Sequence, residues 1–441
     1  MAGEKLPGTR EFSKELKVAR NVVIESYEQL LAEGYVFTRN GAGTFAGDGI
    51  LLKRTAEDLE TNDFDFIEKK ENKNSISFRT GIPDLASIPI KKWGQIYKEI
   101  TCNILPEQLD YQSSTGQYEL RAQLVQYLRR MRGVLTKPEN ILITNGAAQA
   151  FSLLCQFVSD DGFALVENPL SNGIWHTLQG QKVQILTVPI DENGIMTWKL
   201  PNASVKLIFT TPSHQFPTGV VLPVKRRLEL IEYAKKHNAY IVEDDYDSEF
   251  RFDGCPIQSM QALDPANVIY VGTFSKTLMP SIRLGYLVLP DNLCRQMGQA
   301  KYIADLHSPI LEQLTLAKYI ADGFFDMHIK KMKSIYLKRR NYLIKCLEET
   351  FGEHVFISGI EAGMHLVATF DKISFHQDIM DRIEALGVEI VPLSRHYYLE
   401  KNLNEMAEAY EHSLIFGYGN TDILEIEEGI KRLGRAIRIY E

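Results

Sequence analysis

Cysteine is scarce: five residues in 441, at Cys102, Cys155, Cys255, Cys294 and Cys346, with no Cys-x-x-Cys pair among them. An odd, scattered set excludes a disulfide-stapled scaffold and a structural zinc site, so reduced thiols in a cytoplasm and no bound metal are expected. Long apolar runs are also missing. No stretch of about eighteen apolar residues occurs, and the amino terminus lacks the basic-then-apolar pattern of an export signal, which argues for a cytoplasmic protein without a membrane partner. A basic surplus is absent too: 49 Lys and Arg stand against 57 Asp and Glu, a net charge of −8. Global attraction to nucleic acid is thereby excluded, although a local patch can still bind it.

What is present is an ordinary globular composition, 44% hydrophobic and 24% charged, and enough length for about three domains at roughly 150 residues each. The most informative stretch runs from Gly272 to Tyr286, GTFSKTLMPSIRLGY. The β-branched and aromatic run Asn267 to Val271 precedes it and reads as a buried strand, so Lys276 falls in the loop after a strand with Arg283 seven positions on. By itself such a lysine is a solvated loop residue. Some thirty residues upstream a second apolar strand, Ala239 to Val242, ends in Glu243-Asp244-Asp245-Tyr246-Asp247-Ser248-Glu249-Phe250. Acids there are either a solvated loop or ligand-binding groups, since open α/β sheets bind ligands at the carboxyl ends of their strands. A lysine for a Schiff base, an acid for a pyridinium nitrogen, a phenol for a phenolate oxygen and a phosphate cradle are together the requirements of pyridoxal 5'-phosphate.

Asp244 to Phe250 and Thr273-Phe274-Ser275-Lys276, followed by Arg283, resemble the aminotransferase-like domain of MocR-type regulators, a branch of the GntR family. The resemblance extends over nearly the whole chain. It implies a winged helix-turn-helix fused to a fold-type I domain that binds pyridoxal phosphate. The catalytic residues would be Lys276, Asp244 and Tyr246, and the expected partners are a second copy of the chain, an amino acid or amine, and DNA.

Residues 1–49 fit the first module. Thr9 can cap a short helix with Phe12 and Leu16 on one face, a second helix runs from about Asn21 to Glu33, and Tyr35 to Ala46 forms a hairpin, the wing. A helix-turn-helix lays its second helix in a major groove, which would turn Arg10, Arg20, Asn21 and Arg39 towards phosphates or base edges. Six Lys or Arg and seven Asp or Glu make this module non-basic, and Ala19 stands where the family has a capping serine. The family's first helix has no counterpart ahead of Leu6, so the module reads as truncated. Residues 50–76, rich in Glu, Asp, Lys and Asn, read as a linker.

From residue 77 helix-like and strand-like stretches alternate, which predicts a doubly wound, mixed, mainly parallel sheet over 77–324 and a smaller α+β domain over 325–441. Strands are expected at 140–144, 163–166, 183–188, 205–210, 240–243, 268–272 and 284–289, most of them continuous apolar runs of the kind buried on both faces. Thr144-Asn145-Gly146-Ala147-Ala148 closes one strand and opens a helix, where backbone N–H groups and the helix dipole can hold a phosphate. The resemblance assigns the phosphate to Ala147 and Ala148, with Ser275 and Arg283 beside them and Tyr111 reaching in from the neighbouring subunit. It also brings departures. Phe216 replaces the asparagine that contacts the phenolate oxygen, leaving His214 or Gln215 for that role. Ser171 replaces a ring-stacking aromatic, for which Trp175 is the nearby candidate. The segment His412 to Tyr418 has no arginine for a ligand carboxylate, and Arg395 is the nearest substitute by sequence. Two functions follow: a regulator that senses an amino compound as an external aldimine, or a working class I/II aminotransferase with a vestigial DNA-binding module.

Overall fold

The computed structural model describes residues 3–47, 74–158, 162–252, 257–398 and 410–437. The chain divides into two compact units.

The first unit holds helices α1 (Thr9–Leu16) and α2 (Arg20–Ala32) and a hairpin of β1 (Val36–Arg39) and β2 (Gly43–Ala46). Gly8, not Thr9, occupies the cap position of α1, and no side chain caps the helix. The Thr9 hydroxyl instead accepts from Arg20 Nε at 3.4 Å. Ala19 likewise leaves α2 without a side-chain cap. The core is small: Val23 and Val36 are the buried apolar residues here, while Leu16, Val22 and Tyr35 are each about half exposed. The Tyr27 hydroxyl ties α2 to the Pro7 carbonyl at 2.9 Å.

The second unit begins with β3 (Ile76–Ser77) and helices α3 (Ile90–Asn103) and α4 (Tyr118–Arg132). Eight strands then form its main sheet: β4 (Ile141–Thr144), β5 (Phe163–Asn168), β6 (Gln184–Asp191), β7 (Gly194–Ile195), β8 (Val205–Thr210), β9 (Tyr240–Asp245), β10 (Val268–Thr273) and β11 (Gly285–Val288). Their order is β4-β11-β10-β9-β8-β5-β6-β7. The inner pairs are parallel, β11 runs antiparallel to both its neighbours, and β7 turns back on β6. Every residue of β4, β10 and β11 is buried, because apolar clusters cover the sheet on both faces. All seven expected strands are present, β8 with both ends as expected and the others with at least one end shifted, by three residues at most; β7 was not expected.

A long helix, Phe324–Phe351, follows the main sheet in the chain and leads to a second sheet. That sheet contains β12 (Val355–Ser358), β13 (His365–Phe370), β15 (Val391–Pro392) and β16 (Ser413–Gly417), in the order β12-β13-β16-β15. A separate strand, β14 (Val388–Glu389), pairs in parallel with β3. This pairing corrects two expected boundaries. Ile76 lies in a strand rather than a linker, whose other residues fall mostly outside those described, and the start of the stretch expected as the large domain pairs with residues 388–389 of the stretch expected as the small one. Gly417 N–H continues the contact by donating to Phe78 O at 2.8 Å.

Among the described residues no helix is long and apolar enough to cross a membrane.

Candidate functional site

The carboxyl ends of β4, β9 and β10 open on one cavity of about 520 Å³. Parallel pairing sets Asp244 of β9 beside Val271 of β10, and β10 then hands over to the loop that carries Ser275 and Lys276. Ala147, Ala148, Asp244, Tyr246, Ser275, Lys276 and Arg283 all line this cavity. Residues spread over more than 130 positions thus converge, as the loop positions at successive strand ends require.

Lys276 Nζ donates to the Gly81 carbonyl at 2.6 Å. Burial, aided by the charges of Arg283 and Arg79, draws its pKa below the usual lysine range, while Asp244 and Asp247 oppose the fall. Asp244 is buried, and its Oδ1 has no hydrogen-bond partner. Burial, reinforced by the adjacent Asp245, pushes its carboxyl up to about 7. A carboxylate held in this way lacks a cationic donor at close range, and a protonated ring nitrogen supplies one.

At the other end of the cavity helix α5 (Ala147–Leu154) begins after Gly146, whose φ is +85°. Arg283 Nη2 donates to the Asn145 carbonyl at 2.8 Å, and a Cβ on Gly146 would lie 3.2 Å from that guanidinium. The bare backbone therefore lets a cation and the first N–H groups of α5 face the same point, an anion cradle. An amine, an acid with one partnerless oxygen and an anion cradle lining one cavity fit pyridoxal phosphate.

Tyr246 also lines the cavity, with its hydroxyl donating to the His214 carbonyl at 3.0 Å and lying 3.0 Å from His214 Nδ1. His214 and Gln215 do not line it. His214 is buried behind Tyr246 with Nδ1 3.1 Å from both Asp247 oxygens. The Gln215 amide is engaged inside its own loop, donating to the Pro169 and Phe216 carbonyls and accepting from Thr218. The Gln215 amide is thus taken up by its own loop, while His214 keeps Nε2 without a hydrogen-bond partner but lies off the cavity wall. Phe216 is on the wall, packed edge-on against Tyr246 and His396. Ser171 lines the cavity as well, but Trp175 does not: it stacks on Tyr398 with centroids 3.9 Å apart. Tyr111 is 78% exposed and lies off this wall, with its ring edge near His307. Arg395 is exposed, whereas its neighbour His396 faces the cavity.

Sequence reasoning missed Arg79, Thr80, Gly81, Met364, His365 and His396. The first three arrive through the β3–β14 pairing, which joins residues more than 300 positions apart and leaves no local signal. His365 and His396 are buried and pushed towards the neutral form by burial, His396 to about 4. His214, Asp247 and His365 bring possible ligand atoms within 4.8 Å of one another, a cluster that the expectation of no metal site overlooked. Hydrogen bonds account for two of those ring nitrogens, His214 Nδ1 with Asp247 and His365 Nε2 with the Pro217 carbonyl.

In the first unit Arg10, Arg20, Asn21 and Arg39 are all exposed. Arg20 and Asn21 open α2, and the Arg39 guanidinium lies over Phe37 and Phe45 at 5.3 and 5.2 Å on the hairpin.

A mainly parallel sheet with this donor set at its strand ends defines a fold-type I domain built for pyridoxal phosphate. Comparison with known proteins agrees. Residues 73–402 match the family model for aminotransferase class I and II, and residues 1–46 that for bacterial regulatory proteins of the gntR family. The probable rhizopine catabolism regulatory protein MocR of Rhizobium meliloti is 31% identical, over 100% of this chain and 90% of its own length. The HTH-type pyridoxine biosynthesis transcriptional regulator PdxR of Corynebacterium glutamicum is 30% identical, over 95% of this chain and 88% of its own. The crystal structure of kynurenine aminotransferase from Pyrococcus horikoshii superposes with a TM-score of 0.75 at 28% identity, covering 84% of this chain and 92% of the enzyme. The chain belongs to the MocR-type branch of the GntR regulators, in which an aminotransferase class I/II domain follows the GntR module.

Proposed function

We propose that this protein is a cytoplasmic, homodimeric transcriptional regulator whose aminotransferase-like domain binds an amino compound through pyridoxal phosphate and thereby changes the DNA affinity of its amino-terminal module. The observation that carries the reading is the joint presence, on one chain, of a GntR module and a cavity holding Lys276, Asp244 and Arg283. Full-length similarity to MocR and PdxR, both named as regulators, supports it.

Bound in this cavity, pyridoxal phosphate supplies an aldehyde that condenses with amines and a ring that accepts electrons. The chain's residues do the rest. Burial lowers the pKa of Lys276 and so eases loss of its proton, which would let its Nζ serve as a nucleophile towards the aldehyde or as a base beside it. Asp244, with its partnerless Oδ1, would hold a proton on the ring nitrogen. The first N–H groups of α5, the Ser275 hydroxyl and the Arg283 guanidinium hold the phosphate. Tyr246, whose hydroxyl donates to the His214 carbonyl in this structure, would stand on the phenolate side of the ring. The exposure of Tyr111 agrees with a role in a partner's site rather than in its own.

Retention of Lys276, Asp244 and Tyr246 favours a second reading, a working aminotransferase. One experiment separates them: the protein is saturated with pyridoxal phosphate, screened against amino acids and amines for a change in visible absorbance, and assayed for 2-oxo acid product and for binding to DNA upstream of its own gene. Ligand-dependent DNA binding without turnover supports the regulator. Turnover with no DNA binding under any ligand would replace it with the enzyme.

A further inference from the structure

Three cationic side chains line the Lys276 cavity among the described residues: Arg79, Lys276 and Arg283. The proposed function engages two of them with the cofactor. Arg79 remains, on a segment that runs along the end of β16: Phe78 O accepts from Gly417 N–H at 2.8 Å, and a Cβ on Gly417 would collide with the Arg79 carbonyl. β16 itself is Ser-Leu-Ile-Phe-Gly, fully buried and without a cation. The cavity wall next to it is neutral as well. Met364 and Phe216 are apolar, and His365 and His396 each direct one ring nitrogen to a backbone carbonyl, Pro217 O at 3.0 Å and Leu170 O at 3.2 Å. Burial holds both imidazoles uncharged near neutral pH. Among the described residues on this side of the cavity, only Arg79 can neutralise an anion.

Arg79 is also easily released. Its Nε lies 3.6 Å from Glu389 Oε1, with the two side chains 45% and 37% exposed. A long, solvated ion pair of this kind contributes little. Glu389 has a further partner, the Ser77 hydroxyl, at 2.8 Å. A ligand carboxylate could therefore take the place of Glu389 on the guanidinium, gaining a charge-assisted and possible bidentate contact.

We infer that Arg79 is the specificity residue of this site and that the ligand is an amino acid, recognised through a carboxylate that replaces Glu389 on the Arg79 guanidinium. The inference rests on the reading of the cavity as a pyridoxal phosphate site.

The test titrates the cofactor-loaded protein with L-alanine, 4-aminobutanoate and ethylamine, following visible absorbance. Wild type should bind at least one of the amino acids more tightly than ethylamine. Arg79→Gln should weaken that amino acid about tenfold or more and change ethylamine less than twofold, whereas Glu389→Gln should tighten it about threefold. Loss for alanine assigns an α-carboxylate, loss for 4-aminobutanoate a remote one, and either supports the role. Equal affinity of wild type for all three probes, an Arg79→Gln variant that binds the amino acids as wild type does, or an Arg79→Gln loss shared by ethylamine would overturn it. An unchanged or weaker affinity in Glu389→Gln would overturn the exchange. Failure of the unsubstituted protein to show cofactor absorbance would instead remove the underlying reading, and this inference with it.

Discussion

Asp244→Asn should have opposite effects on the cofactor-free and cofactor-loaded protein. In the cofactor-free protein Asp244 is a buried carboxyl whose Oδ1 has no partner, raised to about 7 from an ordinary 3.8, chiefly by burial. Because the folded form keeps this proton while the unfolded form has lost it, stability is highest below about pH 4 and falls as pH rises towards 7, then levels off. About three pH units at 1.36 kcal/mol each give roughly 4 kcal/mol of strain at pH 8. The asparagine removes the charge but buries an amide with incomplete hydrogen bonding, at a cost of about 1–2 kcal/mol, so a net gain of about 2 kcal/mol remains. Thermal denaturation of the cofactor-stripped variant at pH 8 should show a midpoint raised by roughly 2 °C, with most of that gain gone at pH 5.5. With pyridoxal phosphate present, loss of the charged acceptor should weaken cofactor binding by about 2–3 kcal/mol, roughly 50-fold. A variant destabilised equally at both pH values, or one that binds the cofactor as tightly as wild type, would refute the role given to this acid.

Two further substitutions probe the geometry. Gly81→Ala places a Cβ 2.8 Å from Lys276 Nζ at a φ of +73°; backbone strain of about 1–2 kcal/mol and displacement of the amine should slow cofactor attachment, and stopped-flow absorbance with an unchanged rate would contradict it. Arg20→Ala, at the exposed start of α2, should weaken DNA binding and lower its salt slope by about one, as measured by fluorescence anisotropy across salt concentrations.

The sheet and the part of the cavity wall formed by the loops at its strand ends were legible because local patterns carry them. Continuous apolar runs marked the strands of 77–324, and the loops after β4, β9 and β10 held small residues, acids and Lys276 at strand ends, where ligands bind. The rest of the cavity wall was not legible. Arg79 and Gly81 reach the cavity through the β3–β14 ladder, a long-range pairing of two-residue strands that no window of sequence displays. His365 sits in a buried apolar strand, and nothing in its neighbours distinguishes a cavity lining from core. Gln215 failed for another reason: a polar side chain in a promising loop can be fully engaged by the loop itself, and only the hydrogen-bond partners reveal that. Thr9 was misplaced by one residue at a helix start, the usual uncertainty of cap positions.

The central claim is that Lys276 is the amine that holds the aldehyde cofactor. Borohydride reduction of the protein saturated with pyridoxal phosphate, followed by proteolysis and peptide mass spectrometry, measures it directly. The account predicts a single pyridoxyl group, on Lys276, and no visible absorbance in Lys276→Ala; a label spread over surface lysines, or an unchanged spectrum in that variant, would contradict it.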